Sequence, residues 1–483
     1  MRKLSTVLLG TLLTLPATGF GSDDAKAFLA ERIDQRAAEY GALAQSIWNL
    51  AELGYLEEQS SALLQRELQT AGFQLETGVA GIPTAFIAEW GEGGPVIGLL
   101  AEFDALPGIS QDRVPERRLR DDVTSGHACG HHLFGAGSVA SAIAVKQWLE
   151  RSGTPGRVRL YGTPAEEGGG GKVYMVRAGL FEDVDAVVNW HPSSRNEASP
   201  WLSLANKSAK FRFHGISAHA AGAPERGRSA LDGIEAMNHM TNMLREHVPQ
   251  ETRLHYVITA GGAAPNVVPD FAESFYYVRH PDPEQVVAIF DRLVQAAEGA
   301  ALGTGTRMEY EVIHGLYAML PNNALAEAMH ANLERVGGVV YDDADQRFAE
   351  AIHATLPDDA PPLEAASRIL PLQSSIQAGG STDVADVSWV VPTVGLETAT
   401  WVPGTAGHSW QAIAAGGTPI GEKGMIVAAK AMAMTTVDLL TNAELLDAAK
   451  AEHAERVGPD FVYRSLVGDQ PPPLNYRKAP GSQ

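Results

Sequence analysis

The sequence is short of cysteine, of basic residues and of long apolar runs. Cys129 is its one cysteine in 483 residues, so no intramolecular disulfide can staple the fold. Lys and Arg number 37 against 58 Asp and Glu, a formal net charge of −21. A surface that acidic repels phosphate backbones and argues against a nucleic-acid partner. Beyond the N-terminus, charges and Gly or Pro interrupt every apolar stretch, so no later segment is expected to cross a membrane. No internal repeat is visible. With 45% hydrophobic and 20% charged residues, the composition is that of an ordinary globular protein. The length suits two or three folding units.

The N-terminus reads as an export signal. Arg2 and Lys3 precede a mostly apolar run over residues 7–15, too short to span a bilayer as a helix. Small residues follow up to Ser22. Residues 1–22 are therefore expected to be a cleaved signal peptide, and the mature protein to be periplasmic or secreted. No cysteine follows the apolar run, so no lipid anchor is expected.

Helix-like spacing covers residues 24–49, 60–71 and 135–149, and short strand-like runs fall at 95–101, 157–162 and 184–190. This alternation predicts an α/β fold with a mainly parallel sheet in a catalytic domain, its first part at residues 23–205. After Trp201 the texture changes. Strand signals at 209–215, 253–259, 271–279 and 308–313 enclose helix signals at 229–247 and 283–298. That β-α-β-β-α-β order predicts a smaller inserted α+β domain of ferredoxin-like type at residues 206–315. The catalytic domain resumes at 316–483. Residues 339–372 form an acidic, Pro-rich surface excursion; 390–397 is a strand and 424–440 a helix. The tail from Pro471 is expected to be extended.

Chemistry-bearing residues gather at the predicted strand ends, where open α/β sheets bind ligands. Cys129 and His131, two apart, suit a divalent cation, and equally a buried thiol beside a helix-capping histidine. Glu166-Glu167 precedes four glycines; one carboxylate can hold a metal while the other serves as general base, or both can be a solvated turn. His191 closes an apolar strand, and His408 sits in a Gly-flanked loop. Each of the four is weak alone. Together they supply the ligands two cations would need.

His127-Ala128-Cys129-Gly130-His131, Pro164-Ala165-Glu166-Glu167-Gly168, His191-Pro192, Ser217-Ala218-His219-Ala220, Pro265-Asn266-Val267-Val268-Pro269-Asp270 and Gly407-His408-Ser409 follow one another in an order that resembles the dinuclear-metal amidohydrolases. This family includes aminoacylases, hippurate hydrolases, auxin-conjugate hydrolases and p-aminobenzoyl-glutamate hydrolases. Gly380-Ser381-Thr382-Asp383-Val384 points to the last branch. The resemblance implies that Cys129, His131, Glu167, His191 and His408 bind two divalent ions, manganese ahead of zinc. It implies that Glu166 is the general base acting on a shared water, and that Asp104 backs a ligand from behind. In the inserted domain, His219 would polarise the scissile carbonyl from a partner subunit of a homodimer, while Asn266 and Arg279 would hold a substrate carboxylate. Two positions depart from the pattern: Glu102 stands where the wider family has a histidine ligand, and His132 where relatives carry Asp or Asn. The implied reaction is amide hydrolysis of small N-acyl or N-aroyl amino acids. A dipeptidase or carboxypeptidase on the same scaffold, and a non-catalytic partner subunit, are the competing readings.

Overall fold

Twelve strands follow one another along the residues described by the computed structural model, which are 21–377 and 380–477. They are β1 (Gln74–Thr77), β2 (Phe86–Glu92), β3 (Val96–Ala101), β4 (Gly156–Gly162), β5 (Ala186–Ser193), β6 (Trp201–Leu202), β7 (Ala205–His214), β8 (Arg253–Ala260), β9 (Phe271–His280), β10 (Arg307–Leu316), β11 (Ile376–Gln377) and β12 (Thr393–Ala399). The expected signal peptide lies outside the described residues, save for Gly21 and Ser22.

The larger sheet runs β1–β2–β4–β3–β5–β12. β4, β3, β5 and β12 are mutually parallel, and β1 and β2 add an antiparallel edge. Every residue of β3 is buried, as a central parallel strand covered by helices on both faces requires. The sequence pattern did not announce β1 and β2, whose residues are short, mixed and partly exposed.

The helix His131–Ser152 is buried over most of its length, because it packs on β3, β4 and β5 and also against the helices Ala37–Leu50 and Pro419–Thr441. The helix Pro419–Thr441 corrects one expectation. It is long and apolar enough to cross a membrane by length and composition, yet its most apolar stretch is 78% buried, as befits a core helix. The helix expected over 24–49 is two, Ser22–Gln35 and Ala37–Leu50. Arg36 leaves helical geometry between them, and its guanidinium pairs with Glu39 and Glu67.

The second sheet, β10–β7–β9–β8, is wholly antiparallel and spans Ala205–Leu316. Two helices, Ala230–Leu244 and Pro283–Thr304, cover one face and build a separate core around Phe211, Phe213, Ile234, Tyr276 and Leu293. The other face turns towards the C-terminal tail. That tail is packed in turns rather than extended: Tyr476 N–H donates to Pro473 O at 3.0 Å.

Candidate metal centre

Four segments meet at the ends of β3, β4, β5 and β12. Glu102 and Asp104 directly follow β3. The chain then makes an excursion and returns through Cys129 into the helix that begins at His131. Gly130 makes this return possible. Its φ is +76°, and a Cβ there would stand 2.6 Å from Pro192 Cβ, so only glycine lets the Cys129–His131 turn lie against β5. His191, on β5 itself, thereby meets Cys129, with Sγ and Nε2 3.4 Å apart. His408 is tied to the same turn by its backbone N–H, which donates to Ala128 O at 2.9 Å.

Glu166 and Glu167 occupy the turn after β4. Ala165 has a left-handed φ of +59°, a strained conformation for a residue with a Cβ. The turn is held by Glu57, whose carboxylate accepts Ala165 N–H at 2.8 Å, and by Gly169 and Gly170, which donate to Ala165 O. Gly171 is required by space, since a Cβ would fall 2.1 Å from Pro164 O. His408 is likewise left-handed, at φ +60°. Strain at two non-glycine residues beside the same cluster is the signature of a functional site.

The ligand atoms form three overlapping groups, each within 4.8 Å: Cys129, His131 and His191; Cys129, Glu167 and His408; and Glu102, His131 and Glu166. Ligands on opposite sides of a cation at about 2.3 Å stand up to about 4.6 Å apart, so this spacing suits coordination. His131 Nε2 lies 3.0 Å from Glu102 Oε2, and His408 Nε2 lies 3.2 Å from Glu167 Oε1. None of His131 Nε2, Glu102 Oε2 and Glu167 Oε1 makes a hydrogen bond, although all are buried. Orphaned donors and acceptors crowded together are costly unless something sits between them. A thiol, three imidazoles and three carboxylates are a donor set that fits a borderline divalent cation.

The imidazoles are oriented from behind. His131 Nδ1 is 2.9 Å from Asp104 Oδ1, and His191 Nδ1 is 2.7 Å from Pro192 O, which turns both Nε2 atoms towards the cluster. Asp104 also accepts Glu167 N–H through its other oxygen, at 2.9 Å. Its carboxylate therefore positions one ligand from each side.

The two glutamates have been pushed apart electrostatically. Burial, with Glu102 and Glu167 nearby, raises the Glu166 pKa well above the usual carboxyl range. Burial also works against a charged Glu167, but His408 and His131 outweigh it and hold that carboxyl below its usual value. Environments that diverge in this way suit two adjacent carboxyls to different tasks, one to bind as an anion and the other to exchange a proton. Burial and the Glu167 charge push the Cys129 thiol up, so a thiolate there calls for a cation beside it.

Three residues outside the predicted ligand set belong to the centre. Lys172 Nζ lies 2.7 Å from Glu102 Oε1 and 2.7 Å from Asp383 Oδ1, all three fully buried. Glu102, a departure from the family pattern, stands in the third ligand group. His132, the other departure, faces away: its Nε2 meets Gly416 O at 3.0 Å and its ring packs on His127.

The residues expected to bind substrate are not gathered in this cluster. His219 and Asn266 share an exposed loop pair, joined by Ala220 N–H to Asn266 O and by the His219–Val267 bridge. His219 Nδ1 accepts N–H groups from Ala221 and Gly222, which leaves the proton on Nε2. Arg279, on β9, is half-buried and donates to Ser381 Oγ at 3.3 Å.

The family model for peptidase family M20/M25/M40 matches residues 98–355. Over 89% of its length the chain is 39% identical to one of the subunits of the p-aminobenzoyl-glutamate hydrolase of Escherichia coli (strain K12), covering 94% of that protein. It is 31% identical to the Xaa-Arg dipeptidase of Mus musculus, over 88% of this chain and 90% of that one. In fold it is similar to the aminobenzoyl-glutamate utilization protein from Klebsiella pneumoniae, with a TM-score of 0.60 at 20% identity, covering 86% of this chain and 99% of that one. The chain is thus a metallo-amidohydrolase and belongs to peptidase family M20/M25/M40.

Proposed function

We propose that this protein hydrolyses the amide bond of N-acyl or N-aroyl amino acids, p-aminobenzoyl-glutamate among them, using two divalent cations. The observation that carries the reading is the convergence of Cys129, His131, His191, Glu167 and His408 beside a half-buried Glu166. Cys129 and His131 each belong to two of the ligand groups, so each would be within reach of either cation. His131 and His191 would hold one cation, and Glu167 and His408 the other; manganese is favoured, with zinc as the alternative that metal analysis decides. When bound, the cations would polarise the amide carbonyl and acidify water. Glu166 takes the proton of the attacking water and delivers it to the departing amine nitrogen. A raised pKa suits both halves of that task.

Metal-stripped protein should be inactive on hippurate-like and aminobenzoyl-glutamate substrates, and manganese or zinc should restore amino-acid release. A failure of every such amide after metal loading would remove the reading. Dipeptides form the second arm of the panel, because the Xaa-Arg dipeptidase relative spans nearly the whole chain.

The protein is proposed to work as a homodimer through the inserted domain. β8 is an edge strand, and Val257 (59%) and Ile258 (45%) on it are exposed, as is Met243 (53%) on the helix beside it. An open apolar edge invites a second copy. The partner copy would then take His219 as its carbonyl-polarising group. Sedimentation should give twice the chain mass, and Val257→Lys with Ile258→Lys should give a monomer. Export is proposed from the N-terminal sequence alone, and the mass of the mature protein tests it.

A further inference from the structure

The amine half of the substrate is where the relatives disagree, since one is named for glutamate and another for arginine. The charges around the metal centre bear on this choice. Several arginines of this acidic chain are held between carboxylates. Arg36, Arg159 and Arg212 each meet two carboxylates. Arg279 and Arg477 differ: among the described residues neither pairs with a carboxylate, and the Nε of each is buried without a hydrogen-bond partner. Burial, uncompensated by any acid, lowers the Arg279 pKa from its ordinary value.

These two guanidinium groups share a neighbour, since Arg279 lies over the ring of Tyr277 and Tyr277 lines the same cavity as Arg477. Arg279 projects from β9. Arg477 arrives on the C-terminal tail, lies over the ring of Tyr476, and donates to the backbone carbonyl of Glu167. Tyr476 OH donates to the same carbonyl at 3.1 Å. The tail thus anchors Arg477 directly to the metal-binding turn. Both arginines bear on Tyr277 and on buried His314, which together with burial holds that imidazole neutral at a pKa of about 3. His314 is fixed between Asn206 and Ser208, at 3.0 Å from each, and offers no negative charge. Alongside, a cavity of about 550 Å³ between tail and sheet is lined by Gly168, Lys210, Phe275, Tyr277, Pro472 and Arg477, among others. Its one carboxylate, Glu311, is paired with Arg212.

We propose that Arg477 joins Arg279 in a paired-guanidinium subsite for an amine half carrying two carboxylates, so that the preferred substrates are amides of glutamate or aspartate and not of arginine. Each guanidinium can take one carboxylate through two parallel hydrogen bonds. A cationic amine half would meet two like charges that nothing neutralises. Arg477 is then a specificity-determining residue that the tail contributes. The proposal rests on the hydrolase reading above and deepens it.

The test compares kcat/KM of the metal-loaded, full-length protein on three amides sharing one acyl group, with glutamate, glutamine or arginine as the amine half. Wild type should favour glutamate over glutamine by roughly 10- to 100-fold, the value of a charge-assisted hydrogen-bond pair. Arg477→Gln should collapse that ratio, Arg477→Lys should retain part of it, and Arg477→Glu should move the preference towards arginine. Tyr476→Phe, which loosens only the hold on Glu167, should leave the glutamate-to-glutamine ratio in place. Metal content is measured for each variant. A wild type without preference for glutamate overturns the proposal, and so does an Arg477→Gln protein that loses all three substrates in parallel. If no amide is turned over, the hydrolase reading falls by itself. Calorimetry with free L-glutamate against L-glutamine then decides the subsite: tighter glutamate binding that Arg477→Gln removes supports it, and equal binding of the two overturns it.

Discussion

Replacing Glu166 by glutamine should lower kcat by on the order of 10³-fold or more, while the protein keeps its bound metal. General acid–base groups contribute ~10²–10⁴-fold to rate. Glu166 sits at the upper end because it serves twice, removing a proton from water and giving one to nitrogen. Glutamine keeps the volume and one carbonyl acceptor but accepts no proton. The neighbouring Glu167→Gln should behave differently. Its carboxylate faces His408 at 3.2 Å and is held below its usual pKa, so its loss should lower metal content first and turnover as a consequence. Elemental analysis beside kinetics distinguishes the two. A Glu166→Gln protein that retained wild-type turnover, or that lost its metal in the way the Glu167 variant does, would show that the roles have been assigned to the wrong residues.

That division could not be read from the dipeptide Glu166-Glu167 itself. Adjacent acids are chemically identical in sequence, and only the fold gives one of them two histidine neighbours and the other a carboxylate neighbour. The residues that meet at the centre were legible because each stands in a motif with its own Gly or Pro: Gly130 beside Cys129, Pro192 after His191, Gly407 before His408. The strands of the second sheet were legible because they alternate, along all of β9 and the second half of β7, where burial follows every second residue. The weakly patterned strands β1 and β2 were missed for the same physical reason. Arg279 would pass for an exposed strand residue, yet it is half-buried and donates to Ser381, 102 positions later. No periodicity encodes such a contact. The same holds for the ion network behind Glu166, whose members Lys172 and Asp383 are 211 residues apart.

That network gives the largest stability effect expected of any single substitution here. Lys172→Met should cost about 3–5 kcal/mol, the range found when one partner of a buried ion pair is removed and the other charges stay behind. Lys172 is fully buried in the helix Gly171–Arg177, and its ammonium serves Glu102 and Asp383 at once. Its backbone N–H donates to Asp383 as well, at 2.9 Å. Burial opposes the charge, but Asp383, Glu102 and Glu166 together push the Lys172 pKa above its usual value. In the folded chain the cation is therefore favoured, and it contributes stability at every pH below the ordinary lysine range; that contribution fades only as pH rises through the raised value. Without it, the carboxyls of Glu102, Asp383 and Glu166 would share one dry site with no ammonium between them. Two further outcomes follow from this geometry. Adding Asp383→Asn to Lys172→Met should recover part of the loss, since replacing both charges is far less costly than stranding one. Divalent cations should also recover part of it, because a positive charge bound near Glu102 and Glu166 does some of the ammonium's work. Chemical denaturation of the three proteins with and without manganese measures all of this. A Lys172→Met protein within about 1 kcal/mol of wild type would mean that the carboxyls in this site are protonated and need no counter-charge, contrary to the ion pairing described above.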